Sequence, residues 1–248
     1  MPSFEGKVAL VTGGSSGIGR IAALRFAQEG AKVVIASRRP EEGNRTVQQI
    51  EEGGGEALFV KTDVSQATEV EALVNKTLDA YGRLDYAFNN AGTEPVAESS
   101  EEVWDRTIAI NLKGAWLSLK YQVPVMQRQG GGAIVFTSSI AGMVGMPGTI
   151  IYSASKSGVI GMAKAAAIEY ANAGIRINVI SPGAIDTPMT DRMFGNSEVF
   201  QQQMAPLHPI GRVGRPEDIA EVALWLCSDA ASFITGQTII ADGGYTAQ

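Results

Sequence analysis

One cysteine and one histidine in 248 residues remove several chemistries before any motif is considered. Cys227 has no partner for an internal disulfide, and its place in the apolar run Leu224–Trp225–Leu226 predicts a buried thiol in a reducing compartment. His208 has no Ser or Asp setting of the nucleophilic kind, so it is expected at a lid or rim and not in a hydrolytic triad. No His and Cys cluster has metal-ligand spacing, and no metal is expected. No stretch approaches the roughly 18 unbroken apolar residues of a membrane helix, and Met1–Gly6 lacks a basic segment followed by an apolar one. A cytoplasmic protein is therefore expected. The formal net charge is -6 and the basic residues form no stripe, which argues against nucleic acid or an anionic membrane as partner.

What is present is alternation. Apolar runs of strand length at Val8–Val11, Val33–Ala36, Ala57–Lys61, Tyr86–Asn89, Ala133–Thr137, Arg176–Ser181 and Thr238–Ala241 are separated by longer segments, most of them of helical period. Helices are predicted over Gly17–Glu29, Glu41–Glu52, Ala67–Tyr81, Glu101–Arg128 and Tyr152–Ala171. The strands are near-continuous Val, Ile, Ala and Phe, as a sheet covered on both faces requires. The pattern predicts an α/β fold of repeated βαβ units: one doubly wound Rossmann-type domain over 1–248 with about seven parallel strands. The stretch Asp186–Pro216 has no clear period and is rich in Met, Gln, Gly and Pro, so it is expected to be a substrate lid.

The first strand runs into Thr12–Gly13–Gly14–Ser15–Ser16–Gly17–Ile18–Gly19 and then into a helix. Glycines there let the backbone turn tightly against a pyrophosphate, whose charge meets the unpaired N–H groups of the helix N-terminus. The second strand ends in Ala36–Ser37–Arg38–Arg39, where a carboxylate would be expected to grip an adenosine ribose 2′-hydroxyl. Guanidiniums and a hydroxyl suit a 2′-phosphate instead, so NADP is the expected cofactor and NAD the alternative.

Tyr152 and Lys156 stand four apart at a helix start, on one face, with Ser138–Ser139 ending the preceding strand. A free phenol has a pKa of about 10, and a neighbouring ammonium would bring it toward working range. The same spacing also occurs on ordinary amphipathic helices, as a packing residue and a solvated charge.

Taken together, the chain resembles the short-chain dehydrogenase/reductase family. Thr12-Gly13-(x)3-Gly17-x-Gly19 resembles its cofactor turn, Asn89–Asn90–Ala91–Gly92 its strand-four motif, Asn111 its helix-four asparagine and Tyr152-(x)3-Lys156 its catalytic pair. Ser139 stands where the family keeps its serine, Asp63–Val64 resembles the pair beside adenine, and Pro182–Gly183 with Ile185 and Thr187 resembles the nicotinamide-contacting segment. The resemblance implies Asn111, Ser139, Tyr152 and Lys156 as catalytic residues. It implies dinucleotide contacts from Gly13, Ser15, Ser16, Gly17, Ile18, Gly19, Ser37, Arg38, Arg39, Asp63, Val64, Asn90, Ala91, Gly92, Tyr152, Lys156, Pro182, Gly183, Ile185 and Thr187. A homotetramer built on the Ala- and Gly-rich helices is also implied.

The mouth region Gln127–Gly132 is only lightly basic, which favours a free small ketone or aldehyde over a 3-oxoacyl group on an acidic carrier protein. Met143, Val144, Met146, Met189, Met193, Phe194, Phe200, Met204 and Leu207 are the expected apolar pocket wall. A sugar or secondary-alcohol dehydrogenase is a second enzymatic reading. A non-enzymatic dinucleotide sensor is the rival class, and it would have no need of the four catalytic residues.

Overall fold

The structure, a computed structural model, describes residues 4–97 and 99–248. Strands β1 (Val8–Thr12), β2 (Lys32–Ser37), β3 (Ala57–Lys61), β4 (Tyr86–Asn89), β5 (Gly132–Thr137), β6 (Ile175–Pro182) and β7 (Thr238–Ala241) form one seven-stranded sheet. Its order is β3-β2-β1-β4-β5-β6-β7 and every pairing is parallel. The chain therefore runs outward one way from β1 and then the other way from β4. At such a reversal the connections diverge above the carboxyl ends of the strands and leave a crevice.

Strand residues alternate between two apolar layers. Ala9 and Val11 of β1 face the layer of α1 (Gly17–Gln28) and α9 (Pro216–Cys227), where Phe26, Ile219 and Leu224 pack. Leu10 faces the layer of α3 (Ala67–Tyr81), α5 (Gly114–Arg128) and α6 (Ile150–Tyr170), where Leu73, Met126 and Val159 pack. Each large side chain so buried contributes about 1.5–3 kcal/mol against exposure, which is why the middles of these strands are mostly apolar.

Three stretches depart from expectation. The helix predicted over Glu101–Arg128 is α4 (Glu101–Thr107) and α5 joined by a π-helical stretch, Ile108–Lys113, and Pro124 sits inside α5. The region read as a lid without period holds two helices, α7 (Pro188–Phe194) and α8 (Ser197–Met204). Thr187 caps α7 with Pro188 at its first position, and Asn196 Oδ1 caps α8 by accepting from Val199 N at 2.9 Å. Helix α9 falls where the sequence reading assigns no element. Cys227, at its end, is buried as expected, and burial pushes its thiol up to about 12. Helix α2 (Pro40–Glu52) matches the helix expected over Glu41–Glu52. No helix among the described residues is long and apolar enough to cross a membrane.

Candidate active site

The crevice above β1, β4, β5 and β6 is a cleft of about 640 Å³. Its floor is tied together by short polar side chains at strand ends. Thr12 Oγ1 accepts from the backbone N–H groups of Asn90 and Ala91, both at 3.1 Å, and Thr137 Oγ1 donates to Asn90 Oδ1 at 3.2 Å. Beneath them Asn89 and Gln122 exchange reciprocal side-chain hydrogen bonds of 2.8 and 2.9 Å, both residues buried. Strands β1, β4 and β5 are thereby held in register where the cleft needs them rigid.

One end of the cleft is built to receive a dinucleotide. Gly13 has φ +71°, and a Cβ there would stand 3.1 Å from the Ala91 Cα, so only glycine lets the turn approach β4. Ser15, Ser16, Gly17 and Ile18 line the same wall, and Ser16 precedes α1 without capping it, leaving the helix's first N–H groups turned to the cleft. Gly19 does not line the cleft. A Cβ there would lie 2.4 Å from the Gly13 carbonyl oxygen, so its task is to let the helix start pack against the turn. Ser37, Arg38 and Arg39 form the rim beyond. Arg39 Nη2 donates to Ser16 Oγ at 3.1 Å, bridging the two walls, while its Nη1 pairs with Glu42 at 3.4 Å. Asp63 and Val64 lie on the opposite rim, where Asp63 Oδ1 accepts from the Ser65 N–H and hydroxyl. These glycine-cleared walls and the open helix N-terminus fit a nicotinamide dinucleotide.

At the other end Asn90, Ala91 and Gly92 meet Ser139, Tyr152 and Lys156, with Pro182, Gly183, Ile185 and Thr187 opposite. Ser139 caps a 3₁₀ turn (Ile140–Gly142), accepting from Ala141 N at 3.2 Å. Lys156 is only 4% exposed and its Nζ donates to the Thr137 carbonyl at 3.0 Å. An ammonium has three donors, so two are left to face the cleft. Burial pushes Lys156 down to about 8. Its Nζ stands 5.5 Å from the Tyr152 ring centroid.

Tyr152 corrects one expectation. Burial pushes its phenol up to about 12, and a hydrogen bond with Ser139 pulls the other way without prevailing. The shift is upward from the free phenol, opposite in direction to the one expected from a neighbouring ammonium.

Asn111 lies behind the cleft, 2% exposed, in the π-helical stretch. Its Oδ1 accepts from Thr93 N at 2.8 Å and its Nδ2 donates to Ser155 Oγ at 3.2 Å, while Ser155 Oγ donates to the Tyr152 carbonyl at 2.7 Å. Asn111 thus reaches Tyr152 and Lys156 through their helix and not from the cleft wall. Ser155, Thr137 and Gln122 carry no signature in sequence. Each acts through a partner far along the chain, and helical spacing could have placed only Ser155 near the pair.

Of the expected apolar wall, Met146, Met189, Met193, Phe194, Phe200 and Met204 line the cleft, whereas Met143, Val144 and Leu207 are exposed outside it. Phe194 and Phe200 pack at 5.1 Å and join α7 to α8. Besides Lys156, the charged residues Glu94 and Arg192, paired at 3.4 Å, and Arg106 line the cleft. His208, within the stretch expected as a lid, is buried.

A protein-family model described as Enoyl-(Acyl carrier protein) reductase matches residues 13–246. A cyclohexanol dehydrogenase of Acinetobacter sp. (strain SE19) is 43% identical over 99% of this chain and 97% of its own length. A 2,5-dichloro-2,5-cyclohexadiene-1,4-diol dehydrogenase of Sphingobium indicum is 42% identical over the whole of both chains. Among solved structures, a levodione reductase superposes with a TM-score of 0.94 at 36% identity, covering 98% of this chain and 99% of its own.

Proposed function

Since the chain belongs to the short-chain dehydrogenase/reductase family, we propose that it is an NADP(H)-dependent oxidoreductase of small apolar ketones and the matching secondary alcohols, with Tyr152 as acid and base. Membership itself carries the coarser statement, an oxidoreductase on CH–OH and C=O groups that uses NAD or NADP. The finer reading rests on one observation: Ser139, Tyr152 and Lys156 converge on the same end of a cleft whose other end carries two arginines and no carboxylate at Ser37.

The bound nicotinamide would supply or accept the hydride. Ser139 and the Tyr152 hydroxyl hold the carbonyl oxygen, and Tyr152 passes its proton to that oxygen as the alcohol forms. A phenol pushed up to about 12 stays protonated through the neutral range, which suits the reductive direction. The two unused N–H donors of Lys156 are available to ribose hydroxyls. Asn111, through Ser155, fixes the start of α6 and so the aim of both side chains. Arg38 and Arg39 hold the 2′-phosphate.

Two relatives are named for alcohols on six-membered carbon rings, and the Met- and Phe-lined end suits a compact apolar ring better than a sugar. The family model is described by a carrier-bound substrate, but among the described residues of the cleft Arg192 is already paired with Glu94 and so is not free to meet an acidic carrier. Within this reading the chain is one Rossmann-type catalytic unit of the cytoplasm, with α7 and α8 as its substrate lid. It assembles as a homotetramer through α4, α5 and α6, whose Trp104, Trp116, Ile150 and Ile168 are exposed.

The test is a panel of cyclic ketones, 3-oxoesters, sugars and secondary alcohols, following NADPH consumption or NADP reduction with NADH and NAD in parallel. Turnover of ring ketones with NADPH is expected. Turnover of none of them with either dinucleotide would refute the enzyme reading in favour of a sensor.

A further inference from the structure

His208 is the one histidine of the chain, and the chemistry above makes no use of it. It follows a 3₁₀ turn (Ala205–Leu207) at the foot of the lid, is 3% exposed, and uses both ring nitrogens. Nε2 accepts from the Ala184 N–H at 3.2 Å. Nδ1 then carries the hydrogen and donates to the Met204 carbonyl at 2.8 Å. One side chain thus joins the segment after β6 to the last residue of α8.

The segment so held is a wall of the chemical end. Gly183, Ala184 and Ile185 line the cleft, as does Met204. The other ties of Gly183 and Ala184 run between backbone groups: Gly183 N–H to Ala241 O at 3.1 Å, and Gly214 N–H to Ala184 O at 2.8 Å. His208 supplies the side-chain tie from Ala184 to the end of α8, beside the one that Thr190 Oγ1 of α7 makes to the Ile185 carbonyl at 3.2 Å. The contact is close at Gly183, where a Cβ would lie 2.9 Å from both the His208 Nε2 and the Asp242 Cα. Tyr245 packs against the ring at 5.3 Å, and Gln248 donates to the Leu207 carbonyl at 3.1 Å, so the C-terminal tail closes the outer side.

We propose that His208, through Ala184 N–H and Met204 O, is a positioning residue that sets the distance between the wall at Gly183–Ile185 and the lid, and thereby the geometry of the reacting end. This rests on the function proposed above. A residue of this kind alters the turnover of bound reactants more than it alters the binding of a dinucleotide whose phosphates and adenosine are held elsewhere.

The test is His208→Phe, which keeps a ring and removes both hydrogen bonds, beside His208→Gln, whose carboxamide retains one acceptor and one donor. With NADPH and a ketone found in the panel, H208F is expected to lose about tenfold or more in kcat, as a buried N–H is stranded at the wall. Its NADPH Kd, read by fluorescence, should stay within about threefold, and H208Q should recover most of kcat. Three results would overturn the proposal: an H208F kcat within twofold of wild type, an H208F loss confined to NADPH Kd, or equal losses in H208F and H208Q. If H208F does not fold, His208→Asn, whose shorter carboxamide cannot span both partners, replaces it with the same expectations. Tyr152→Phe measured alongside separates the two claims. An inactive Y152F with indifferent His208 variants sinks this inference alone, whereas an active Y152F sinks the function itself.

Discussion

At the scale of single residues, cofactor choice is the sharpest issue. Position 37 is a serine where a ribose-gripping carboxylate would stand, and Arg38 and Arg39 follow on the rim. Arg39 divides itself between Ser16 and Glu42, whereas Arg38 is exposed at the rim. A charge-assisted hydrogen bond contributes about 1.5–3 kcal/mol, or roughly 10- to 100-fold in affinity. Arg38→Ala is therefore expected to raise the KM for NADPH by about that factor while leaving the KM for NADH within about twofold. Equal effects on both dinucleotides would remove Arg38 from 2′-phosphate recognition. This feature was readable from sequence because it is local: three adjacent residues at a strand end. The electrostatics of Tyr152 were not, since its shift depends on how far burial opposes the phenolate, and spacing from Lys156 says nothing about burial.

At the scale of elements, legibility followed burial pattern. The strands were readable because both of their faces are covered, which turns each into a run of apolar residues. Helix α9 was not, because Ile219, Ala220, Ala223, Leu224, Leu226 and Cys227 are all buried and blur the 3.6-residue period into an apolar run. The lid helices escaped notice because they are short and start on caps, Thr187 and Asn196, amid Met and Gln without period. The start of α9 is held by Asp218, which accepts from Arg215 N at 2.8 Å and pairs with Arg212 at 2.6 Å. The Arg212 hydrogen bond, ahead of the other contributions, holds Asp218 down at about 2, below its usual 3.8. A carboxylate with a depressed folded value stabilises the fold above its unfolded value, and that contribution is lost as pH falls through the folded value. Asp218→Asn should accordingly cost about 0.5–2 kcal/mol at pH 7, the range of a lost helix cap. The gap between wild type and D218N in urea unfolding should narrow between pH 4 and pH 2. A gap unchanged across that window would show that the charge contributes nothing.

At the scale of the whole molecule, the sheet order explains why distant motifs act together. The reversal between β1 and β4 brings the turn at Gly13 beside Asn90, and the β4–β5–β6 run adds Thr137 and Pro182 to the same edge. Sequence showed the motifs and their order. It did not show the cross-ties that fix them, such as Asn89 with Gln122 or Asn111 with Ser155, because those pairs are set by packing between elements. The proposed assembly is testable at this scale. Ile168 on α6 is 81% exposed, so Ile168→Glu should leave the single chain folded yet convert a four-chain species on a sizing column to a smaller one. An unchanged elution position, or a wild type that already runs as one chain, would contradict a tetramer built on that face.

The central claim, that the Tyr152 hydroxyl moves the proton of the reaction, is tested most directly by the NADPH-dependent reduction rate of Tyr152→Phe at saturating dinucleotide and ketone. Loss of a general acid is expected to lower kcat by about 10²- to 10⁴-fold, with NADPH Kd within about threefold of wild type. A Y152F enzyme that reduces the ketone at a rate near wild type would contradict the account.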